Sequence, residues 1–146
     1  LGDATGSLTI DGNLTLLSSS TTEIDIASLM DYDSIDALGL NRSLTYSGFL
    51  QVTALPTYTN FATQVGSYQL FSNFSTWNGL LTGIEVAGHT DYTNIGGVWT
   101  READGYIYSF AQNTGVLNVQ LVPEPSRAVL LLAGLGLLII RRRRVY

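Results

Sequence analysis

Residues 6–16 read Gly6-Ser7-Leu8-Thr9-Ile10-Asp11-Gly12-Asn13-Leu14-Thr15-Leu16, which is one x-Leu-Thr-apolar unit written twice, each copy opened by a glycine. Successive side chains of an extended chain point to opposite faces. Leu8 with Ile10, and Leu14 with Leu16, can therefore be buried while Ser7, Thr9 and Thr15 meet water. A third copy stands at Arg42-Ser43-Leu44-Thr45-Tyr46, so the step from Leu14 to Leu44 is far longer than the step from Leu8 to Leu14. These steps are not one period, but a stack of coils tolerates insertions between turns because each turn touches only its neighbours.

The same alternation fills the region before Pro123. It is clearest at Glu23-Ile24-Asp25-Ile26, at Tyr106-Ile107-Tyr108-Ser109-Phe110 and at Leu117-Asn118-Val119-Gln120-Leu121. Each predicts a strand with one buried and one wetted face. Turn-rich stretches such as Ser18-Ser19-Ser20 and Gly96-Gly97 supply connections. Apolar residues at helical spacing are scarce, so the fold class is all-β. Two architectures satisfy that pattern: a parallel β-helix segment with a β cap, and a β-sandwich.

At 146 residues the chain has room for one domain with its own core. Its formal net charge is −5, yet four of seven arginines sit together at 141–144. Over residues 1–126 two arginines oppose twelve carboxylates, two minus twelve giving −10, without a lysine. Such a surface repels phosphate backbones, so a nucleic-acid partner is disfavoured. The chain has no cysteine, which removes disulfides, thiol catalysis and cysteine-ligated metals. It opens on Leu1 without an export leader; the expectation is that a leader has been removed or that this is the C-terminal piece of something longer.

The Leu-Thr units together with Tyr32-Asp33-Ser34-Ile35 resemble the C-terminal part of exported bacterial proteins with autotransporter-associated β-strand repeats. The resemblance covers about the first third of the chain and implies a right-handed parallel β-helix, with residues 67–121 as last turns or β cap.

The C-terminus is of another composition. Pro123-Glu124-Pro125 is followed by an apolar run, 128–140, without a charged or strongly polar group, and then by Arg141, Arg142, Arg143 and Arg144. Each proline fixes its own φ and holds the preceding residue extended, which leaves a stiff, grippable segment. A helix over 128–140 rises about 20 Å at about 1.5 Å per residue, against a hydrocarbon core of roughly 30 Å. Length alone admits a short membrane span or a buried helix. The arginine block resists burial and would stay cytoplasmic, with Arg127 snorkelling outward at the other end. The chain thus divides into an extracytoplasmic β domain (1–121), a processing linker (122–127), a transmembrane helix (128–140) and a cytoplasmic tail (141–146).

In order and position these parts resemble the PEP-CTERM sorting signal. The resemblance implies export in a Gram-negative bacterium, transient inner-membrane anchoring, and recognition by exosortase with removal of the tail. Pro123, Glu124 and Pro125 would be the recognition motif and Arg141 to Arg144 the membrane stop. It further implies a protein of the cell surface or exopolysaccharide matrix. A permanent single-span anchor shares the topology without the cleavage.

Within the body, the one histidine is His89, and a Ser/His/Asp arrangement would have to pair it with Asp91. With no G-x-S-x-G and no second histidine, neither enzyme activity nor a cofactor is expected of this segment. Asp31, Asp33 and Asp36 are a hard-oxygen cluster of the kind that attracts calcium, but they lack the glycine and terminal glutamate of an EF-hand loop, so a solvated turn is expected. Trp77 and Trp99 can stack sugars if exposed or fill the core if not, and an exopolysaccharide-binding module, or the end of a polysaccharide-acting enzyme, is the alternative they carry. Asn-x-Ser/Thr triplets at Asn13, Asn41 and Asn73 are what an Asn-, Ser- and Thr-rich chain produces.

Overall fold

The computed structural model describes residues 5–55 and 65–123, and they are all-β. The chain first makes three successive passes, each laying down three strands. The first pass contains β1 (Ser7–Ile10), β2 (Leu14–Thr15) and β3 (Thr21–Ser28), after which β4 (Asp31–Tyr32) folds back antiparallel on β3. The second contains β5 (Ser34–Ala37), β6 (Ser43–Tyr46) and β7 (Phe49–Ala54). β8 (Gly66–Gln69) then leads into the third, β9 (Phe71–Ser72), β10 (Thr76–Gly79) and β11 (Gly83–Val86). Strands of equal rank pair parallel, giving the ladders β1-β5-β9, β2-β6-β10 and β3-β7-β11.

The register explains the unequal steps between the Leu-Thr units. Leu14 and Thr15 lie directly beside Leu44 and Thr45, so the long step is one full pass. Leu8 belongs to the first side of the same pass as Leu14, so the short step leads from one side to the next. Alternation puts one apolar column on the inside of each ladder: Leu8-Ile35-Phe71, Leu14-Leu44-Trp77 and Ile24-Val52-Val86.

After the third pass the chain changes to an antiparallel meander, β12 (Thr93–Ile95), β13 (Val98–Ala103), β14 (Tyr106–Ala111) and β15 (Val116–Leu121). β8 joins it on the far side of β15, completing a five-stranded sheet. Tyr68, Tyr108, Phe110, Leu117 and Val119 from this sheet share one apolar cluster with Leu44, Tyr46, Leu50, Phe71 and Ile84 from the passes. The junction is aromatic: Tyr46 meets Phe71 edge-on at 5.6 Å and Phe110 edge-on at 6.4 Å, and stacks on Trp77 at 6.2 Å. Two glycines are required there. Gly115 (φ 68°) and Gly79 (φ 69°) adopt left-handed backbone, and a Cβ on either would run into a carbonyl oxygen, that of Phe71 or Tyr46 respectively.

The three strands read most clearly from alternation are β3, β14 and β15, with one departure. Asp25, expected on the wetted face of β3, is 8% exposed, and Asp33, expected in a solvated turn, is wholly buried. The cause is β4, which packs against β3 and brings Asp33 over it. Asp33 Oδ2 accepts from Asp25 N at 3.0 Å, and the Asp33 amide donates to Asp25 O at 2.8 Å.

Candidate functional site

Several charged and hydroxyl side chains on the outside of the passes bond to one another across the ladders. Asp36, in the middle pass, accepts from Ser7 of the first pass at 2.6 Å, from its own neighbour Ser34 at 3.4 Å and from Ser72 of the third. Arg42 Nη2 reaches Asp11 of the preceding pass at 2.5 Å while its Nε donates to Leu38 O at 3.1 Å. Glu23, Gln51 and Glu85 form one outward column in which the amide separates two carboxylates, with Gln51 Nε2 3.5 Å from Glu85. Such cross-strand pairs contribute roughly 0.2–1 kcal/mol each.

The three aspartates of the candidate calcium cluster accordingly diverge. Asp31 accepts from the Thr5 hydroxyl, Asp33 is buried with Oδ1 accepting from Gly6 N at 2.6 Å, and Asp36 braces the first ladder. Among the described residues no group of three or more histidine or acidic side chains converges on a common point. The bonds of Asp33 carry a role that its sequence neighbourhood does not announce: one carboxylate ties the entry to the first pass (Gly6) to its third strand (Asp25).

His89 sits in the turn after β11, where its backbone bridges Val86. Its Nε2 lies 2.9 Å from Asp104 in the β13–β14 turn, whereas Asp91, the carboxylate nearer in sequence, pairs with Arg101 at 3.2 Å. Nothing in the sequence between His89 and Asp104 predicts that pair; the antiparallel return of β13 creates it. Asp91 and Arg101, with Thr93, Thr100, Glu102 and Ile107, line an open groove of about 510 Å³ on the outer side of the meander.

Both tryptophans pack against the core. Trp77 lies flat on Tyr46 and edge-on to Phe74 at 5.7 Å. Trp99 Nε1 donates to Gln112 Oε1 at 2.5 Å. Gln112, itself buried, also stands 3.4 Å from Leu81 N and 3.5 Å from Gly79 O, so one amide ties the third pass to the meander. The tyrosines report the same dry interior. Burial pushes the Tyr46 hydroxyl well above the ordinary phenol range. Burial, reinforced by neighbouring Tyr32, pushes Tyr68 up to about 12. Tyr92 is raised by burial and by Tyr108 against the opposing influence of Arg101.

The asparagine triplets are turn chemistry. Asn41 and Asn73 hold positive φ of 59° and 61°, and Asn13 Oδ1 accepts from Ser43 N at 2.9 Å. Of the tail, Pro123 is exposed just beyond β15, where Val122 N donates to Gly105 O at 2.9 Å. Glu124, Pro125, the apolar run 128–140 and Arg141 to Arg144 lie outside the described residues. Among the described residues no helix is long and apolar enough to cross a membrane.

Comparison with protein-family models, with curated proteins and with solved structures finds no match to this chain.

Proposed function

We propose that the chain is a non-enzymatic structural protein of the bacterial cell surface or exopolysaccharide matrix, carried there by a C-terminal PEP-CTERM signal that exosortase reads and removes. The body is a short parallel β-helix closed by an antiparallel β cap. One observation supports the structural role: outer polar side chains bond between passes, with Asp36 joining all three and Arg42 joining two. Side chains used as braces stiffen a rod, and a rod without lysine or cysteine has neither side-chain amine nor thiol to react with its surroundings.

The sorting reading rests on the order of Pro123-Glu124-Pro125, the apolar run 128–140 and the terminal arginines. In this scheme the run holds the body at the outer face of the inner membrane, the arginines stop it from sliding through, and the extended prolyl segment is presented for cleavage. The exit of the chain at exposed Pro123 supports it, since a processing enzyme needs extended backbone clear of the sheet.

Intact mass of the protein recovered from membrane and medium of an exosortase-bearing host tests the proposal, alongside a variant with residues 123–125 all changed to alanine. The expected mature form ends near Glu124, and the variant keeps its tail. Retention of Tyr146 by both proteins in the membrane fraction would show the tail to be a permanent anchor.

A further inference from the structure

The groove of about 510 Å³ on the outer side of the meander, lined by Asp91, Thr93, Thr100, Arg101, Glu102 and Ile107, continues into a pattern that the register defines. Thr93 stands across from Thr100, Thr100 from Ser109, Ser109 from Asn118 and Asn118 from Ser67. One row of hydroxyls and a carboxamide therefore leads from the groove across all five strands. With strands about 4.8 Å apart it is roughly 19 Å long. Ser67 Oγ donates to Asn118 Oδ1 at 2.5 Å, whereas the hydroxyls of Thr93, Thr100 and Ser109 have no partner among the described residues. Residues two apart on a strand share a face. An apolar row, Ile95-Val98-Ala111-Val116, thus flanks the hydroxyls on one side, and Glu102-Ile107-Gln120 flanks them on the other. The hydroxyl row itself is uncharged, although residues 1–126 carry a net −10 from two arginines minus twelve carboxylates.

We propose that the groove, with the row that leads from it, binds a single chain of a neutral polysaccharide. The lining selects the chemistry. Two carboxylates against one guanidinium, in an acidic body, repel uronates, sulfates and phosphates. Arg101 offsets Asp91 at 3.2 Å, which offers a cation little beyond Glu102. Ile107 is the one apolar side chain of the six, too few for a greasy ligand. What the lining does offer is donors and acceptors side by side: the carboxylates accept, the guanidinium donates and the threonine hydroxyls do both. A sugar hydroxyl also does both, and the Asp91–Arg101 pair presents an acceptor next to a donor to two hydroxyls on one ring. The flanking apolar row meets the C–H face of the sugars. Shape selects a chain, because a track one side chain wide falls far short of the roughly 800 Å² per partner of a stable protein interface. The inference rests on the body standing outside the cell, as proposed above, but it is read on the meander and not on the tail.

Isothermal titration calorimetry of the full chain in phosphocholine micelles, whose head group is not a sugar, tests it, with far-UV circular dichroism as the check on folding. The probes are the neutral hexasaccharides of cellulose, laminarin and amylose, an acidic oligogalacturonate and a cationic chitosan hexasaccharide. At least one neutral hexasaccharide should bind, and more tightly than its own disaccharide, because the longer chain reaches along the row. Glu102→Ala and Thr100→Val, each removing one hydrogen-bonding group from the groove, should weaken that binding about tenfold. Leu40→Ser, at an exposed residue between β5 and β6, should leave it unchanged. Absence of binding by every neutral hexasaccharide overturns the proposal, as does tighter binding of the acidic or the cationic probe. Binding that survives both groove substitutions in folded protein also overturns it. The intact-mass measurement of tail processing is unaffected by any of these results, so the two readings fail separately.

Discussion

Phe71→Ala is expected to lower the unfolding free energy by about 3–5 kcal/mol, the usual cost of deleting a large buried aromatic side chain. Phe71 is fully buried, meets Tyr46 at 5.6 Å and Phe110 at 6.3 Å, and sits where the third pass gives way to the meander. Its neighbours come from β6 and β14, elements fixed by different ladders, so they cannot easily collapse into the space. Chemical denaturation followed by tyrosine and tryptophan fluorescence checks this. A loss below about 1 kcal/mol would mean that the passes and the meander do not share one core.

The second large effect is expected from a polar residue. Asp33→Ala should cost about 3 kcal/mol, because two backbone donors, Gly6 N and Asp25 N, lose a buried carboxylate, and hydrogen bonds to charged groups are worth about 1.5–3 kcal/mol each. Asp33→Asn should cost about half as much, since the amide keeps one oxygen for one donor. Hydrogen exchange should separate this from a core defect: the amides of Gly6 and Asp25 lose protection first, before those of β14 and β15. Equal stability of Asp33→Ala and the unaltered chain would contradict the buried clasp.

What is legible in the sequence is whatever alternation controls. β3, β14 and β15 appear where Glu23-Ile24-Asp25-Ile26, Tyr106 to Phe110 and Leu117 to Leu121 alternate. The Leu-Thr units at 14–15 and 44–45 stand side by side in the same ladder. Asp25 departs from expectation because alternation assigns a face by parity, whereas its burial comes from β4 folding over β3. The pairing of His89 with Asp104 is invisible in the sequence because antiparallel return, not local spacing, brings them together. Gln112 carries no motif at all; a single amide among strand residues gives no signal until Trp99, Leu81 and Gly79 surround it. The same limit applies to Trp77 and Trp99, whose aromatic content is plain in the sequence and whose packing is not.

The three-pass fold depends on successive passes lying in register, and Leu44 is the residue that reports it. It sits at the centre of the Leu14-Leu44-Trp77 column, with neighbouring strands roughly 4.8 Å apart. The decisive measurement is a nuclear Overhauser experiment on selectively methyl-labelled full chain in detergent micelles. Stacked passes predict cross-peaks from the Leu44 methyls to the Leu14 methyls on one side and to the Trp77 ring on the other. Leu44 methyls that see neither residue, and contact only strands adjacent in sequence as hairpins would place them, would contradict it.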